Sequence, residues 1–189
     1  MFLLRLVDIL LSIFLIVIFF PLILSISILI LIIDGYPIFF IAERVGMNQK
    51  IFFMYKFRTM KNLGKKFTDN QRITKLGVLL RRLSLDEIPQ IFNVFLGDMS
   101  FVGPRPLPLK LEKKIKFKKN KILRSTIRPG ITGLSQINYK GKKRNLETKI
   151  LYDIKFIKNY SPYLYFIIIC KTFAVLITRY MHNTKGKSL

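Results

Sequence analysis

Three of the chain's ten carboxylates fall within Arg81 to Pro106, RRLSLDEIPQIFNVFLGDMSFVGPRP, and two of those, Asp86 and Glu87, are adjacent. Adjacent side chains on a helix diverge by about 100°, so both acids can address one pocket from different angles. Arg81, Arg82 and Arg105 lie in the same stretch, and Arg128 follows. Guanidinium groups bind oxyanions, and a carboxylate can attack phosphorus or hold a metal. Acids ringed by arginines therefore suit a site that handles phosphate. The same residues also fit an ordinary helix start. Ser84 would be the N-cap, Glu87 would complete a capping box, and Leu85, Ile88, Ile91 and Phe92 would form the apolar face.

The rest of the inventory narrows the chemistry. The single histidine, His182, and the single cysteine, Cys170, both lie near the C-terminus. A Cys–His pair or a Ser–His–Asp triad cannot form around the central stretch unless the tail folds back, and a His/Cys zinc site lacks ligands. No G-x-x-x-x-G-K-[ST] loop occurs. An enzyme built on this chain works with carboxylates, hydroxyls, lysine and arginine, with or without Mg²⁺. One cysteine also excludes an internal disulfide, as expected for a chain facing a reducing compartment.

A chain of 189 residues is one domain, or one domain with an anchor. The formal net charge of +23 lies wholly after Asp34, since Met1 to Asp34 hold one arginine and two aspartates. Nucleic acid, an anionic membrane face and a phosphorylated substrate could each balance it. Nucleic acid is not expected, because the basic run Lys110 to Arg124 (KLEKKIKFKKNKILR) has only Phe117 as a stacking platform. That run reads as a solvated or membrane-surface helix, with Leu111, Ile115 and Ile122 at helical spacing.

The anchor is Ile9 to Ile33, apolar apart from Ser12, Ser25, Ser27 and an interrupting Pro21. Its span as a helix, about 37 Å, exceeds a hydrocarbon core of about 30 Å. Hydropathy allows a kinked spanning helix or a re-entrant helix–break–helix; the basic excess beyond it puts the remaining bulk in the cytoplasm. Tyr36 to Gly46 and Gln49 to Thr59 read as a β-hairpin about Gly46-Met47-Asn48, with Lys56 and Arg58 on one strand face. Lys61 to Lys75 reads as a loop, Ile73 to Leu83 as a helix, and Asp86 to Phe95 as a helix that Gly97 ends. Gly103-Pro104-Arg105-Pro106 is a rigid, extended turn presenting one arginine. Arg128-Pro129-Gly130-Ile131-Thr132-Gly133 reads as a turn whose amides could approach an anion. Leu151 to Tyr160 carries Asp153, expected on the surface unless the fold draws it to the pocket. Tyr163 to Met181 is an interfacial last helix.

Assembled, the chain resembles the small monotopic phosphoglycosyl transferases of the bacterial sugar transferase family. The resemblance rests on Phe20-Pro21, KFRTM at Lys56 to Met60, the whole of Arg81 to Pro106, and RPGITGLSQIN at Arg128 to Asn138, in order. It implies a mixed α/β, mostly helical fold: a re-entrant membrane helix over 1–35 and a compact cytoplasmic catalytic domain over 36–189, with a short hairpin and interfacial helices. It implies transfer of a phosphosugar from a nucleotide-sugar, usually a UDP-sugar, to undecaprenyl phosphate, with Mg²⁺ and release of the nucleoside monophosphate. Asp86 is implied as the nucleophile and Mg²⁺ ligand, and Glu87 as its acid/base or positioning partner. Lys56, Arg81, Arg105, Arg128 and Asp153 are the expected substrate-binding residues. A monotopic protein on the cytoplasmic face of a bacterial inner membrane, touching anionic lipid, follows; a homodimer is left open. The alternative is a membrane-tethered basic binding or scaffold protein without catalysis. Two departures stand out: Phe20 precedes the proline where the family commonly has serine, and Asn138-Tyr139-Lys140 replaces the usual Asn-Gly-Arg.

Overall fold

The computed structural model describes residues 2–61, 68–115, 117–138 and 145–185. Phe2–Ile33 form a single helix, α1, of 32 residues, long and apolar enough to cross a membrane. Its buried residues Leu4, Asp8, Ser12, Ile23, Ile26 and Ile30, joined by Leu11, Leu15, Phe19 and Leu22, recur three and four apart. That spacing is one helical stripe, and it packs against the domain along most of its length. The opposite face, including Leu10, Phe14, Val17, Phe20 and Leu24, is exposed and apolar. The helical backbone runs through Pro21 without the break the sequence suggests. A proline removes one amide bond and bends a helix, but here packing resumes on the same stripe beyond it. Ser25 Oγ donates to the Pro21 carbonyl at 2.8 Å, and Ser27 Oγ to that of Ile23 at 2.7 Å.

The expected hairpin forms from β1 (Phe39–Val45) and β2 (Ile51–Phe57), antiparallel, with Phe40 opposite Lys56 and Ala42 opposite Met54. The region read as a loop contains a short helix, α2 (Asp69–Arg72); residues 62–67 of it lie outside the described residues. Next, α3 (Lys75–Arg82) is capped by Thr74, whose hydroxyl accepts from the Gly77 amide at 2.8 Å. The expected helix from Asp86 is divided into a 3-10 turn, Leu85–Glu87, and α4 (Gln90–Leu96). Pro89 has no amide to continue the first into the second. Gly97 ends α4 at φ 97°, where a side chain would be strained.

The segment read as a turn after Arg128 instead supplies β4 (Gly130–Thr132), paired in parallel with β3 (Ser100–Val102). The basic run is two short helices, α5 (Leu109–Glu112) and α6 (Lys118–Arg124), rather than one solvated helix. Both are tied inward, since Glu112 and Arg124 are buried. The chain closes with α7 (Leu134–Ile137), α8 (Leu146–Lys158) and α9 (Pro162–Lys185). The main core gathers Met54, Val94, Met99, Val102, Phe156, Tyr165 and Ile168 from β2, α4, β3, α8 and α9.

Both ends of α1 are fastened to this body. Near its start, Arg5 donates to the Val94 and Phe95 carbonyls at 2.6 and 2.9 Å, meeting the negative end of α4. One oxygen of buried Asp8 accepts from Ser100 Oγ, the Phe101 amide and the Tyr165 hydroxyl at 3.2, 3.1 and 2.5 Å. Near its finish, Arg58 donates to the Asp34 and Gly35 carbonyls, and Asp34 Oδ2 accepts from Thr74 Oγ1 at 2.8 Å. Replacing Asp8 by alanine removes the shared acceptor of three buried donors, of which Ser100 and Tyr165 can still bond each other, so unfolding in detergent is expected to lose on the order of 3 kcal/mol. A denaturation midpoint equal to wild type would show that the clamp contributes nothing.

Candidate active site

The acid pair sits where the 3-10 turn enters α4. Ser84, expected as an N-cap, adopts φ 58° and its side chain caps nothing. Glu87 does not close a capping box either. Its Oε1 accepts from Lys56 Nζ at 2.6 Å and from Arg105 Nη2 at 3.0 Å. The ordinary-helix reading of this dipeptide is thereby overturned: Glu87 joins a β2 cation to a loop cation instead of satisfying its own helix. Asp86 Oδ2 lies 3.9 Å from Lys56 Nζ, beyond hydrogen-bond reach but close enough for strong attraction. Arg81 is held by Thr59, its Nε donating to Oγ1 at 2.8 Å, and its charge also reaches Asp86.

Three devices position these groups. Buried Asn93 clips α4 onto β2: its Oδ1 accepts from the Tyr55 amide at 3.0 Å and its Nδ2 donates to the Phe53 carbonyl at 2.7 Å. That brings Lys56, the next residue on β2, over the acid pair. Gly103 and Gly130 let β3 and β4 approach closely, since a Cβ on Gly130 would stand 2.0 Å from the Gly103 amide nitrogen. From that contact Pro104-Arg105-Pro106 departs with its carbonyl at Pro104 bonded to the Gly130 amide at 2.9 Å. The Arg105 side chain stays 44% exposed, so it can serve Glu87 and still face a ligand.

The two carboxyls are pushed apart in acidity. Burial raises Asp86 above the usual carboxylate range; Lys56 and Arg81 oppose the rise without cancelling it, and the Glu87 charge adds to it. Burial would also raise Glu87, but Arg105 and Lys56 together outweigh it and hold this carboxyl below its ordinary value. Adjacent acids separated in this way take different roles. Glu87 is bonded to two cations, and Asp86 lies beside Lys56 and Arg81 without a hydrogen bond from Lys56.

The other expected site residues lie elsewhere. Arg128 Nε donates to the Gly97 carbonyl at 2.8 Å, at the far end of α4 from Asp86. It lines a cavity there with Arg5, Asp8, Ser100 and Tyr160. Asp153 is buried rather than a surface acid. Its Oδ2 accepts from Arg124 Nε at 3.0 Å, and Arg124 Nη1 donates to Glu112 Oε2 at 2.9 Å. Arg124 Nη2 reaches the Arg105 carbonyl at 2.8 Å, so Arg124 links Asp153 to the loop that carries Arg105. Asn138 ends α7, and Tyr139 and Lys140 lie outside the described residues. Asn93, Glu112 and Arg124 escape a reading of the sequence, because their partners lie on other elements.

Among the described residues, no group of three or more His, Cys, Asp or Glu could hold a metal ion. Mg²⁺ does not need such a cage; it is commonly bound by one or two carboxylates with substrate phosphate and water. Asp86, whose Oδ2 stands 3.9 Å from Lys56 Nζ, fits that donor set.

Residues 1–179 match the family model described as bacterial sugar transferase. The sugar transferase EpsL of Bacillus subtilis (strain 168) is 42% identical over 147 residues, 73% of this chain and 69% of that protein. UDP-N-acetylgalactosamine-undecaprenyl-phosphate N-acetylgalactosaminephosphotransferase of Aeromonas hydrophila is 36% identical over 90% of this chain, which spans 43% of that enzyme. UDP-glucose:undecaprenyl-phosphate glucose-1-phosphate transferase of Xanthomonas campestris pv. campestris is 38% identical over 80% of this chain and 34% of its own length. The chain thus spans less than half of these two named enzymes. With the model matching nearly end to end and the acid pair set among three cations, the chain belongs to the bacterial sugar transferase family.

Proposed function

We propose that this protein is a phosphoglycosyl transferase that moves a phosphosugar from a UDP-sugar to undecaprenyl phosphate and releases UMP, the first membrane step of glycoconjugate assembly. The observation that carries the proposal is the Asp86–Glu87 pair, one acid tied between Lys56 and Arg105 and the other left free beside them. The names of the Aeromonas and Xanthomonas relatives support the same donor and acceptor classes.

The chemistry runs as two displacements at one phosphorus. A carboxylate oxygen of Asp86 attacks the β-phosphorus of the donor. The bond to the bridging oxygen breaks, UMP leaves with that electron pair, and an aspartyl phosphosugar remains. An oxygen of undecaprenyl phosphate then attacks the same phosphorus and expels the Asp86 carboxylate, giving undecaprenyl diphosphosugar. Neither step requires a proton from the protein, so Glu87 need not act as acid or base. Its task is to hold Lys56 and Arg105 against the phosphoryl oxygens, since two anions otherwise repel. Asp86 would be the residue to hold Mg²⁺, whose charge would add to the neutralisation of the phosphoryl oxygens. Splitting the transfer lets two bulky substrates use one pocket in turn.

The tying of α1 supports its membrane placement. Residues at or next to both of its ends are fastened to one body, which supports a monotopic anchor that bends at Pro21 and has both ends on the cytoplasmic face of the bacterial inner membrane. The exposed apolar face of α1 then meets lipid tails, and the basic surface meets anionic headgroups.

Three outcomes test this reading. Asp86→Asn is expected to lower UMP release from nucleotide-sugar with a polyprenyl phosphate by at least about a thousand-fold; full turnover would remove the covalent route. The acid limb of the rate is expected above the usual carboxylate range, because Asp86 must be anionic to attack and burial raises it. Lys56→Met deletes a charge that favours the anion, so the limb should move to still higher pH, whereas Glu87→Gln deletes a charge that opposes the anion and should slow the reaction while moving the limb to lower pH. A downward shift in Lys56→Met would contradict the electrostatic assignment. A tag ahead of Met1 should resist labelling from outside the cell, and external labelling would show a true crossing.

A further inference from the structure

The segment carrying Arg105 has an unusual hydrogen-bonding problem. Pro104 and Pro106 have no amide hydrogen, so this segment lacks two of its three donors and must be held through its carbonyl oxygens. Two of these are taken. The Pro104 carbonyl accepts from the Gly130 amide at 2.9 Å, and the Arg105 carbonyl accepts from Arg124 Nη2 at 2.8 Å. The second anchor is a side chain, and that side chain is itself fixed on two sides. Arg124 Nε donates to Asp153 Oδ2 of α8 at 3.0 Å, and Nη1 donates to Glu112 Oε2 of α5 at 2.9 Å.

All three members are buried, with Arg124 at 6% and Glu112 and Asp153 at 3% exposure. Burying three charges costs several kcal/mol per ion before attraction is counted, and an apolar trio of similar size would avoid that cost. What an apolar trio cannot provide is a planar fork with donors in three directions, joining two helices and a loop carbonyl at set angles. None of the three side chains is hydrogen-bonded to Asp86 or Glu87.

We propose that Arg124, oriented by Asp153 and Glu112, is a positioning residue for phosphosugar transfer: it fixes the backbone of Arg105 and thereby aims that guanidinium at Glu87 and the donor phosphate. Asp153 thus acts on the reaction at two removes, through Arg124 and then Arg105, without touching substrate. The inference rests on the transferase reading above for its kinetic consequence and on the loop geometry alone for its structural one.

The test uses the full chain in detergent, with Asp153→Asn, Glu112→Gln and Arg124→Lys made alone and on an Arg105→Ala background. Alone, each is expected to lower kcat/KM for the nucleotide-sugar by about 10-fold or more, while on Arg105→Ala the same change should cost less than about 2-fold. Equal losses on both backgrounds would overturn the proposal, because the cluster would then act independently of Arg105. Hydrogen–deuterium exchange gives a second readout that needs no activity. In Asp153→Asn or Glu112→Gln, the Gly103 and Gly130 amides, which donate to the Thr132 and Pro104 carbonyls, should exchange faster than in wild type while exchange across α4 stays unchanged. Unchanged exchange there would also overturn the proposal. If wild type itself released no UMP, the transferase reading would fail while the exchange result still decided the positioning role.

Discussion

One oxygen atom holds the active centre together. Oε1 of Glu87 receives a lysine from the hairpin and an arginine from the loop after β3, so three elements distant in the chain converge on a single acceptor. A charge-assisted contact of this kind is short and directional, and it fixes the two cations while leaving the neighbouring acid unencumbered. The asymmetry between the carboxyls follows from this. Glu87 is held down by the two cations it binds, and Asp86 is raised by burial that its neighbouring cations only partly offset.

Around that atom the fold is mainly a set of ties that stop the three elements from drifting. Asn93 pins α4 to β2 by the strand's own backbone groups. The glycine contact between β3 and β4 launches the proline-flanked arginine. Arg5 and Arg128 both end on carbonyls at the C-terminal end of α4, so the helix that follows the acid pair is gripped at its far end by cations suited to its dipole. The membrane helix supplies one of those grips and, through Asp8, holds β3 as well.

The sequence made local features legible and long-range ones not. The hairpin, the end of α4 at Gly97 and the final helix are written in turn residues and apolar periodicity, which act over a few positions. The acid pair and Arg105 could be picked out by type and spacing. Whether Ser84 and Glu87 formed a cap could not, because the answer depended on Lys56, 31 residues away. Asp153 seemed a surface acid because nothing near it signals Arg124, 29 residues earlier. The single basic run concealed a buried pair, since Glu112 and Arg124 sit among lysines that dominate its composition. In each case a local pattern was overridden by a partner on another element, which is where buried charge must be compensated.

The two-ended fastening of α1 bears on what kind of part this helix is. A tether that merely keeps a domain near lipid could be exchanged for any hydrophobic stretch of similar length. This one lends Asp8 to the amide of Phe101 and Arg5 to the end of α4, and the two carbonyls just beyond its last turn receive Arg58. It is a wall of the building and not a mooring rope. Cutting it away would open the interior, and a generic apolar helix grafted in its place would match its length without restoring the shape of the body it completes.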